Sequence, residues 1–386
     1  MEWMAITALK YTVQEKRNIS AKALILGIES SCDETAASVL RREADGSVKI
    51  LSSIIASQDA EHAPFGGVVP EIAARAHMQK LDRIIDRAVT EADVSYTDLS
   101  AIAATSGPGL IGGVIAGLMG AKGLAMSLDI PLIAVNHLEG HALSPKLAGE
   151  CAFPYLLLLI SGGHTQLLSV KGLGDYQRIG STVDDAAGEA FDKSAKVMGL
   201  GFPGGPRVER TAETGHAEAF KLPRPFKGKD HANFSFAGLK TAVARAFEAS
   251  DKSSQAKADL CASFQEAVCD VFKDRTQRAM VIFREDVGAK ELNGPQRLVV
   301  AGGVAANKKI RSALEQLCKD NNFTLLAPPL EYCTDNAAMI ALAGAEHYAL
   351  GQFDDMDVKA RPRWPLDGDS AKHNPASGFG KKGPKS

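Results

Sequence analysis

The hydrophobic and polar positions along the chain form two series of predicted elements in the same order. In the first series, an apolar run at residues 23–28, a polar turn at 29–35 and a second apolar run at 36–40 predict a β-hairpin. Strand-like runs then alternate with apolar residues at helical spacing. The later elements are a third strand, a helix, a strand, a glycine-rich turn with its helix, a strand and a last helix, predicted at residues 50–56, 71–92, 99–104, 106–128, 131–135 and from 136 onward.

The second series repeats much of this order. Its predicted elements are two hairpin strands, a strand, a helix after a glycine-rich turn, a strand and a last helix, at residues 155–160, 165–170, 297–301, 305–318, 323–327 and from 335 onward. Residues 171–296 interrupt the series and predict a mainly helical insertion. A duplicated unit of this kind predicts an α/β fold of two lobes, with a central ligand cleft at the glycine-rich turns.

The boundary between the two series divides the chain into domains. We expect an N-terminal extension at residues 1–22, a first lobe at 23–153 and a second lobe at 154–350. The last helix of the second lobe can pack back on the first lobe. Residues 351–386 are polar and become rich in Pro, Gly and Lys toward the end, which predicts a disordered tail.

Composition supports an enzyme-like globular chain. A length of 386 residues exceeds one ordinary hydrophobic core, which agrees with two lobes. Hydrophobic residues make up 45% and charged residues 23% of the sequence, as is typical of globular proteins. The formal charge is −2, from 44 basic and 46 acidic residues. No overall field therefore attracts nucleic acid or an anionic membrane, and any RNA contact is local or made by a partner.

Cysteine usage and hydropathy indicate the compartment. The six cysteines are scattered without a C-x-x-C pair, which predicts reduced thiols in the cytoplasm. The apolar stretch at residues 110–121 is glycine-rich and short, so we expect no membrane span. Residues 1–22 mix acidic and basic side chains without an apolar core, unlike a secretory signal. A mitochondrial leader is the alternative to a cytoplasmic location.

Two histidines form the clearest candidate for chemistry. The segment Asn136-His-Leu-Glu-Gly-His141 places two imidazoles four residues apart on a predicted helix, where both can reach one metal ion. A zinc-protease motif requires Glu directly after the first His, whereas Glu139 lies two residues after it, on another face. Imidazole pairs suit Zn or Fe, and a carboxylate is a natural third ligand. Two buried histidines without a metal are the alternative.

Asp335 is the candidate third ligand. It stands at the start of the last predicted helix, where the simpler alternative is an N-cap. Sequence spacing does not bring Asp335 near His137. Only the duplicated-lobe arrangement, in which helices of the two units face each other, makes a shared site plausible.

Three glycine-rich turns, at residues 27–35, 161–165 and 302–307, are typical of loops that bind phosphate through main-chain N–H groups. Their matching places in the duplicated unit indicate a nucleotide site, although no P-loop motif occurs. Residues 107–112 satisfy G-x-G-x-x-G after a strand, so a dinucleotide-binding fold is an alternative. The acid of that fold belongs at the end of the next strand, but Asp129 precedes its strand. The sequence therefore favours a tight turn at residues 107–112.

Acidic residues near these turns have two interpretations. Asp33 and Glu34 lie in the first hairpin turn, and Asp192 belongs to an acidic group around a helix start, with Asp184, Asp185 and Glu189. In the simpler interpretation, the first pair are solvated turn acids and the second group are favourable charges at a helix N-terminus. In the functional interpretation, they face a ligand between the lobes.

Eight segments in order along the chain carry a family resemblance: GIESSCDET, NHLEGH, LISGGHTQL, DDAAGEAFDK, GFPGGP, NFSFAGLKTA, VAGGVAAN and YCTDNAAMIA. They cover residues from about 25 to about 344. Together they resemble the tRNA N6-adenosine threonylcarbamoyltransferases, a family of the actin-like class of duplicated ATPase folds. Two segments, NFSFAGLKTA and ARPRWPLD, resemble the bacterial branch, which favours the cytoplasm.

The resemblance implies an acyltransferase that moves threonylcarbamoyl from threonylcarbamoyl-adenylate to N6 of adenosine 37, in tRNAs reading codons that begin with A, and releases AMP. It implies one divalent metal per subunit, Fe or Zn, held by His137, His141 and Asp335. The residues implied to contact the adenylate are Leu159, Ile160, Ser161, Gly162, Gly163, Asp192, Gly205 and Asn307. The implied partners are tRNA, a paralogous actin-like subunit without the metal site, and a small ATPase; no membrane is implied.

Within the implied reaction, a base must accept a proton from the attacking amine, and Asp33 or Glu34 is the candidate. A basic loop with Lys221, Arg224, Lys227 and Lys229 is either a tRNA phosphate contact or a solvated loop. Three other classes stay open from the residues alone. They are a metallopeptidase, a kinase or ATPase of the same fold class, and a binding or regulatory subunit.

Overall fold

In a computed structural model, which describes residues 22–149, 151–288 and 295–368, the chain forms two five-stranded mixed sheets. The strands are β1 Ala23–Glu29, β2 Glu34–Arg42, β3 Val48–Ser57, β4 Ala101–Gly107, β5 Leu132–Asn136, β6 Tyr155–Ile160, β7 Thr165–Gly172, β8 Asp175–Ser181, β9 Gln296–Ala301 and β10 Phe323–Leu326. The helices are α1 Asp59–His62, α2 Pro70–Glu91, α3 Ile111–Leu128, α4 His137–Leu143, α5 Ala187–Val197, α6 Gly204–Ala212, α7 Ala237–Ala249, α8 Ser254–Val287, α9 Lys308–Asp320 and α10 Ala337–Ala349.

The two sheets have the same topology. The strand order is β3-β2-β1-β4-β5 in the first sheet and β10-β9-β6-β7-β8 in the second, which is the same order read from the opposite edge. The hairpin strands pair antiparallel in each sheet, whereas β4 and β9 pair parallel to the first strand of their own sheet. The predicted duplicated two-lobed α/β fold is therefore confirmed.

The last helix of each series crosses to the other lobe. Helices α2 and α3 cover one face of the first sheet, and α10, from the second series, covers the other face. Helix α4, from the first series, places Leu138 and Ala142 in an apolar cluster with residues of the second sheet. The expected return of the C-terminal helix to the first lobe occurs, and α4 makes the reciprocal exchange. This exchange brings the N-terminal ends of α4 and α10 together.

Two glycines permit the close approach of α10 to the first sheet. A Cβ added to Gly27 on β1 would overlap the backbone of Ala337 and Ala341, and one added to Gly344 would overlap Ala103 on β4. Because backbone and helix touch without side chains between them, the position of α10 on the sheet is fixed within narrow limits. The chain just before α10, which includes Asp335, is positioned with it.

The third strand of the second sheet lies where the sequence predicts a helical insertion. Strand β8 belongs to residues 171–296 and pairs antiparallel with β7 at the edge of the sheet. The predicted insertion is therefore wrong at its N-terminal end, and the described helices α5–α8 all follow β8. β8 is polar: Tyr176 is buried, but its neighbours Asp175 and Gln177 are exposed, so the strand lacks an apolar run.

Residues 351–368 pack against the first lobe and, at Leu366 and Asp367, against the second sheet, so the prediction of a disordered tail is wrong for this part. Asp354 pairs with Leu132 on β5, and its Oδ2 accepts a hydrogen bond from the Ala134 N–H at 2.8 Å. Lys122 Nζ donates to the Val358 carbonyl at 2.6 Å, and the Val358 side chain packs on the core of the first lobe. Residues 369–386 and most of the predicted N-terminal extension lie outside the described residues.

Among the described residues, one helix has the length and apolar composition of a membrane span, namely α3. In this fold α3 packs against β4 and α2, as core helices of α/β proteins do. Its buried face includes Val114, Leu118 and Ala121.

Candidate functional site

The three predicted metal ligands meet where the N-terminal ends of α4 and α10 face each other. His137 and His141 lie one turn apart on α4, and Asp335 lies two residues before α10. The ligand atoms of the three side chains all lie within 4.8 Å of one another. Asp335 Oδ1 is 3.0 Å from His141 Nε2 and 3.5 Å from His137 Nε2. Two imidazoles therefore converge on one carboxylate oxygen.

The two helices begin in the same way. The Asn136 side chain accepts a hydrogen bond from the Leu138 N–H at 2.9 Å, and the Asn336 side chain accepts one from the Met339 N–H at 3.0 Å. Because Asn336 caps α10, the alternative of Asp335 as N-cap is wrong. The Asp335 carboxylate is left to interact with the histidines.

A buried carboxylate orients His137. Glu29, at the end of β1, is fully buried and places Oε2 3.0 Å from His137 Nδ1. Glu29 also accepts hydrogen bonds from the Thr105 hydroxyl and the Ser31 N–H, both at 2.6 Å. With Nδ1 held by Glu29, His137 directs Nε2 toward Asp335. A carboxylate behind a histidine is the common way in which proteins fix the tautomer and ring orientation of a metal ligand.

The charges in this cluster shift the pKa values of its members. Burial alone would lower the pKa of His137, but Asp335 and Glu29 outweigh it and hold that pKa well above its ordinary value. Burial would raise the pKa of Asp335, and the two histidines instead hold it well below its ordinary value. The pKa of Glu29 is lowered, because His137 outweighs the effect of burial. The cluster therefore strongly favours a positive charge between the carboxylates.

These residues fit a divalent metal ion. Two imidazole nitrogens and a carboxylate oxygen are a common ligand set for Zn and for non-haem Fe(II), and they leave coordination positions open for a substrate. The donors come from two lobes and lie close enough for one ion. His141 Nδ1 is buried without a hydrogen-bond partner among the described residues, so only its Nε2 is engaged.

Asp33 and Glu34, the candidate bases, lie near this centre. Both are half-buried; Asp33 ends the turn between β1 and β2, and Glu34 begins β2. Burial is the main cause that raises the pKa of Asp33, and it raises the pKa of Glu34 well above its ordinary value; the charge of Asp335 adds to both effects. His77 Nε2 lies 3.1 Å from the Cys32 carbonyl and holds this turn against α2.

On the second lobe, the turn after β6 meets the N-terminal end of α5. The Ser161 hydroxyl accepts a hydrogen bond from the His164 N–H at 3.2 Å, and the Ser161 carbonyl accepts one from the Gly188 N–H at 3.3 Å. A Cβ at Gly188 would overlap the Ser161–Gly162 backbone. Gly162 and Gly163 are exposed, so main-chain groups of this turn are accessible, and its contact with a phosphate stays a prediction.

Asp192 stands beside the start of α6. Its Oδ1 accepts a hydrogen bond from the Gly204 N–H at 2.8 Å. Burial raises the pKa of Asp192 to about 6, opposed by the N–H groups of Gly204 and Gly205 and reinforced by the charge of Asp33. The charge of Asp335 raises the pKa of Asp33, and the charge of Asp33 in turn raises the pKa of Asp192.

Three of the residues that the resemblance implies as adenylate contacts have a structural role, two in the hydrophobic core and one as a helix cap. The Leu159 and Ile160 side chains are fully buried in the apolar clusters on opposite faces of the second sheet. Only their backbone can touch a ligand. Asn307 caps α9, where its side chain accepts a hydrogen bond from the Ile310 N–H at 3.0 Å.

Sequence reasoning missed several residues of the site. Glu29 was included in a turn, although an acid that continues the apolar run 23–28 is the signal that could have identified it. Glu139 is also unassigned by the motif. It accepts a hydrogen bond from the Tyr176 hydroxyl at 2.6 Å, and its other oxygen lies 2.7 Å from His347 Nε2. It thereby ties the helix of the histidine pair to β8 and α10.

The fold and the site together define a class: a two-lobed protein of the actin-like fold, with a candidate metal centre where helices of the two series meet and exposed glycines in the turn after β6. The sequence profile of the tRNA N6-adenosine threonylcarbamoyltransferase family matches residues 49–342. The chain is 59% identical to the tRNA N6-adenosine threonylcarbamoyltransferase of Maricaulis maris, over 95% of this chain and 97% of that one. It is 56% identical to the Brucella anthropi enzyme of the same name, over 94% and 99% of the two chains. The chain therefore belongs to this family.

Solved structures of low sequence identity agree with the fold. HypF from T. kodakarensis is similar to the chain with a TM-score of 0.57 and 15% identity, over 85% of this chain and 48% of that one. A full-length HypF in a phosphate- and nucleotide-bound form has a TM-score of 0.54 and 14% identity, over 86% and 47%. Both similarities confirm the two-lobed architecture.

Proposed function

We propose that the chain transfers the threonylcarbamoyl group of threonylcarbamoyl-adenylate to N6 of adenosine 37 in tRNAs that read codons beginning with A. The observation that carries this proposal is the meeting of His137, His141 and Asp335 from the two series of elements, in a protein whose turn after β6 leaves Gly162 and Gly163 exposed. The family supplies the reaction class, and the cleft supplies a place for an activated acyl donor.

In the proposed reaction the N6 amine attacks the carbamoyl carbonyl of the mixed anhydride. An N–C bond forms, the C–O bond to phosphate breaks, and AMP leaves with the electron pair of that bond. One proton of the amine must be accepted, and Asp33 or Glu34 is our candidate, because the charge of Asp335 acts on both and both have a raised pKa, which makes them stronger bases. Main-chain N–H groups of Gly162 and Gly163 are candidates for stabilising the oxyanion.

We propose Fe(II) or Zn as the resident ion, because both suit two imidazoles and a carboxylate. When bound, such an ion supplies positive charge that orients anionic groups of the donor. Glu29 then fixes the His137 ring, and the exchanged helices α4 and α10 fix the distance between the histidines and Asp335. All six cysteines are unpaired, which supports the expected reducing, cytoplasmic setting.

The structure argues against a metallopeptidase. In that class a Glu beside the histidines must activate the attacking water. Here Glu139 is buried and both of its oxygens are engaged, by Tyr176 and His347, on the side where α4 contacts β8 and α10. The hydrogen bonds of Glu139 therefore connect α4 with β8 and α10. A kinase or ATPase finds support only in the fold, which does not fix the reaction.

Nucleoside mass analysis tests the proposal. The purified chain is incubated with threonylcarbamoyl-adenylate, partner subunits and an unmodified tRNA, in parallel with the same tRNA carrying guanosine at position 37. We expect the modified adenosine and an equal amount of AMP with the first tRNA, and neither with the second. Absence of the modified nucleoside in all partner combinations contradicts the proposal, and so does peptide cleavage that chelation abolishes.

Asp192 gives the proposed nucleotide site a pH dependence. Because burial raises its pKa to about 6, the free protein loses the Asp192 carboxylate as the pH falls through that value. An ionised carboxylate accepts hydrogen bonds more strongly than a protonated one. We expect the affinity for AMP to fall by about tenfold between pH 7 and pH 5, and the Asp192→Asn variant to bind more weakly at pH 7 with a flatter profile. Calorimetric titration at several pH values measures this, and an equal pH dependence in both proteins contradicts the assignment.

An exposed apolar surface on helices α2 and α3 of the first lobe favours the proposed paralogous partner. Ile111, Ile115 and Met119 follow one another at intervals of four on α3 and are 46%, 46% and 57% exposed, and Met78 of α2 is 71% exposed. Such an apolar stripe on paired helices is typical of a protein interface. We propose that it packs against helices of the paralogous actin-like subunit.

Charged substitutions test this interface. The Ile115→Asp/Met119→Asp variant is expected to weaken association with the paralogous subunit by at least about tenfold, because each residue loses apolar contact and buries a charge. The matched control is Val281→Asp on α8, which is 41% exposed on the other lobe. Metal content should stay unchanged in both proteins. Analytical ultracentrifugation measures the association, and wild-type affinity in the α3 variant would exclude this face.

A further inference from the structure

Residues 359–364, which we call the basic strap, carry Lys359, Arg361 and Arg363 without any acidic residue. All three cations are exposed, whereas Ala360 between them packs on the core of the first lobe. Within the described ranges, none of the three has a carboxylate at ion-pair distance. The Arg361 guanidinium lies over the Trp364 ring at 4.4 Å from its centre. The strap therefore offers three positive charges and a stacked aromatic surface.

The backbone of the strap is fixed to the first lobe. The Arg361 N–H donates to the Ser106 carbonyl at 2.7 Å, and the Pro362 carbonyl accepts a hydrogen bond from the Gly109 N–H at 3.3 Å. Asn136 Nδ2 donates to the Trp364 carbonyl at 2.9 Å. Gly107 has φ +136, and a Cβ there would overlap the Arg361 carbonyl. Because main-chain groups hold the strap, its cationic side chains stay available.

These anchors place the strap beside the metal cluster. Asn136 caps α4 and directly precedes His137. The loop after β4 that holds the strap also donates from the Leu110 N–H to the Ser31 carbonyl at 2.7 Å, and the Ser31 hydroxyl lies 3.2 Å from His137 Nδ1. The Trp364 carbonyl is thus hydrogen-bonded to the residue that directly precedes a candidate metal ligand. It lies at the carboxyl ends of the parallel strands β4 and β5, where α/β sheets bind ligands.

We infer that the basic strap binds the tRNA backbone beside the target adenosine, an inference that rests on the proposed function. Lys359, Arg361 and Arg363 bind phosphates, and the Arg361–Trp364 pair stacks on an unpaired nucleotide of the anticodon loop. A chain with a formal charge of −2 has no general attraction for RNA, so RNA contacts made by the chain itself need a local group of cations such as this one.

The basic loop of the second lobe is less suited to the same task. Arg224 is engaged by Asp270 at 3.1 Å, and Asp274 accepts a hydrogen bond from the Gly228 N–H at 3.1 Å. An open cavity of about 590 Å³ beside it is lined by acidic as well as basic residues, among them Glu218, Glu266 and Asp270. These carboxylates repel phosphate. Acids also precede the strap, and the charge of Arg361 acts on Asp354, but within the described ranges no carboxylate lies at ion-pair distance from the three strap cations.

A charge-removal experiment tests the inference. The triple variant Lys359→Gln/Arg361→Gln/Arg363→Gln is compared with the wild type and with a matched control that removes three exposed cations elsewhere, Lys49→Gln/Lys252→Gln/Lys319→Gln. Binding of unmodified tRNA is measured by fluorescence anisotropy over a series of salt concentrations, with the full chain and its partner subunits. A second variant, Arg361→Lys, keeps the charge but removes the stacked guanidinium.

We expect the strap variant to bind tRNA about 10- to 100-fold more weakly, and its salt dependence to lose about two units of log–log slope, since each phosphate contact contributes about 0.7 to 0.9. The control should change by less than about threefold. Arg361→Lys should lose less affinity and keep most of the salt slope. Metal content and AMP binding should be unchanged in all variants, which separates RNA contact from damage to the centre.

Three results would overturn the inference. One is wild-type tRNA affinity and salt slope in the strap variant. Another is an equal loss in the matched control. The third is intact tRNA binding with lost association to a partner subunit, which would assign the strap to a protein surface. Failure of the wild type itself to bind or modify tRNA would instead contradict the proposed function.

Discussion

Replacing Asp335 with alanine is expected to remove bound metal and to reduce threonylcarbamoyl transfer by at least about 100-fold. Loss of residues that merely support a metal ligand commonly costs 10- to 100-fold, so loss of a ligand itself should cost more. Asp335 is the only one of the three clustered ligands that comes from the second series, and it faces both histidines. Without it, the site keeps two imidazoles on one helix and no charge-neutralising oxygen.

Metal content by mass spectrometry and modified nucleoside per tRNA are the measurements for Asp335→Ala. The fold should survive, because Asn336 and not Asp335 caps α10. Asp320→Asn, which removes an exposed acid at the end of α9, is the matched control and should keep both metal and transfer. A variant at Asp335 that retains one metal per chain and full transfer contradicts the ligand assignment.

The Glu29→Gln substitution should lower metal affinity by about 10- to 100-fold while leaving the cluster assembled. Glutamine has nearly the same shape and can still accept a hydrogen bond from Thr105 or Ser31, but it has no charge with which to hold His137 Nδ1. Chelator competition measures the affinity. Transfer should return at high metal concentration, unlike in Asp335→Ala.

Thr105→Ser is the control for Glu29→Gln, since it keeps the hydroxyl that donates to the carboxylate. It should change metal affinity by less than about threefold. If Glu29→Gln holds metal as tightly as the wild type, then Glu29 has no role in orienting His137. If excess metal fails to restore transfer, its role extends beyond metal binding.

Most of the architecture was predictable because the chain repeats a strongly patterned unit. The strands 23–28 and 155–160 are continuous apolar runs, and each is a central strand of its sheet. The pairing of the two units also made the approach of Asp335 to the histidines an expected consequence of symmetry. Both predictions depend on the spacing of hydrophobic residues and on the order of the predicted elements, and both can be read directly from the sequence.

Elements that depend on tertiary contacts were not predictable in the same way. β8 has a polar sequence and becomes a strand because the edge of β7 is available for pairing. Residues 351–368 look like a disordered tail, yet backbone hydrogen bonds to β5 and to the loop after β4 hold them in place. Such bonds use groups that every residue has, so composition does not report them.

The candidate site shows the same division. The histidine spacing is local to one helix, so the sequence displays it. By contrast, the contact of Glu29 with His137 joins residues 108 positions apart and is visible only in the fold. The engagement of both Glu139 oxygens likewise depends on Tyr176 and His347, from two other elements. Leu159 and Ile160 show the opposite error. The motif match assigns them to ligand contact, but their side chains are buried in the hydrophobic core.

If the His137, His141 and Asp335 cluster supports transfer to adenosine 37, the amount of bound metal sets the amount of modified tRNA. One preparation of the chain with its partner subunits is stripped of metal and reloaded stepwise with Fe(II) or Zn, and modified adenosine per tRNA is measured by nucleoside mass analysis at each step. We predict that modification rises in proportion to bound metal and stops at one ion per chain. Full modification of adenosine 37 by the metal-free protein would contradict this account.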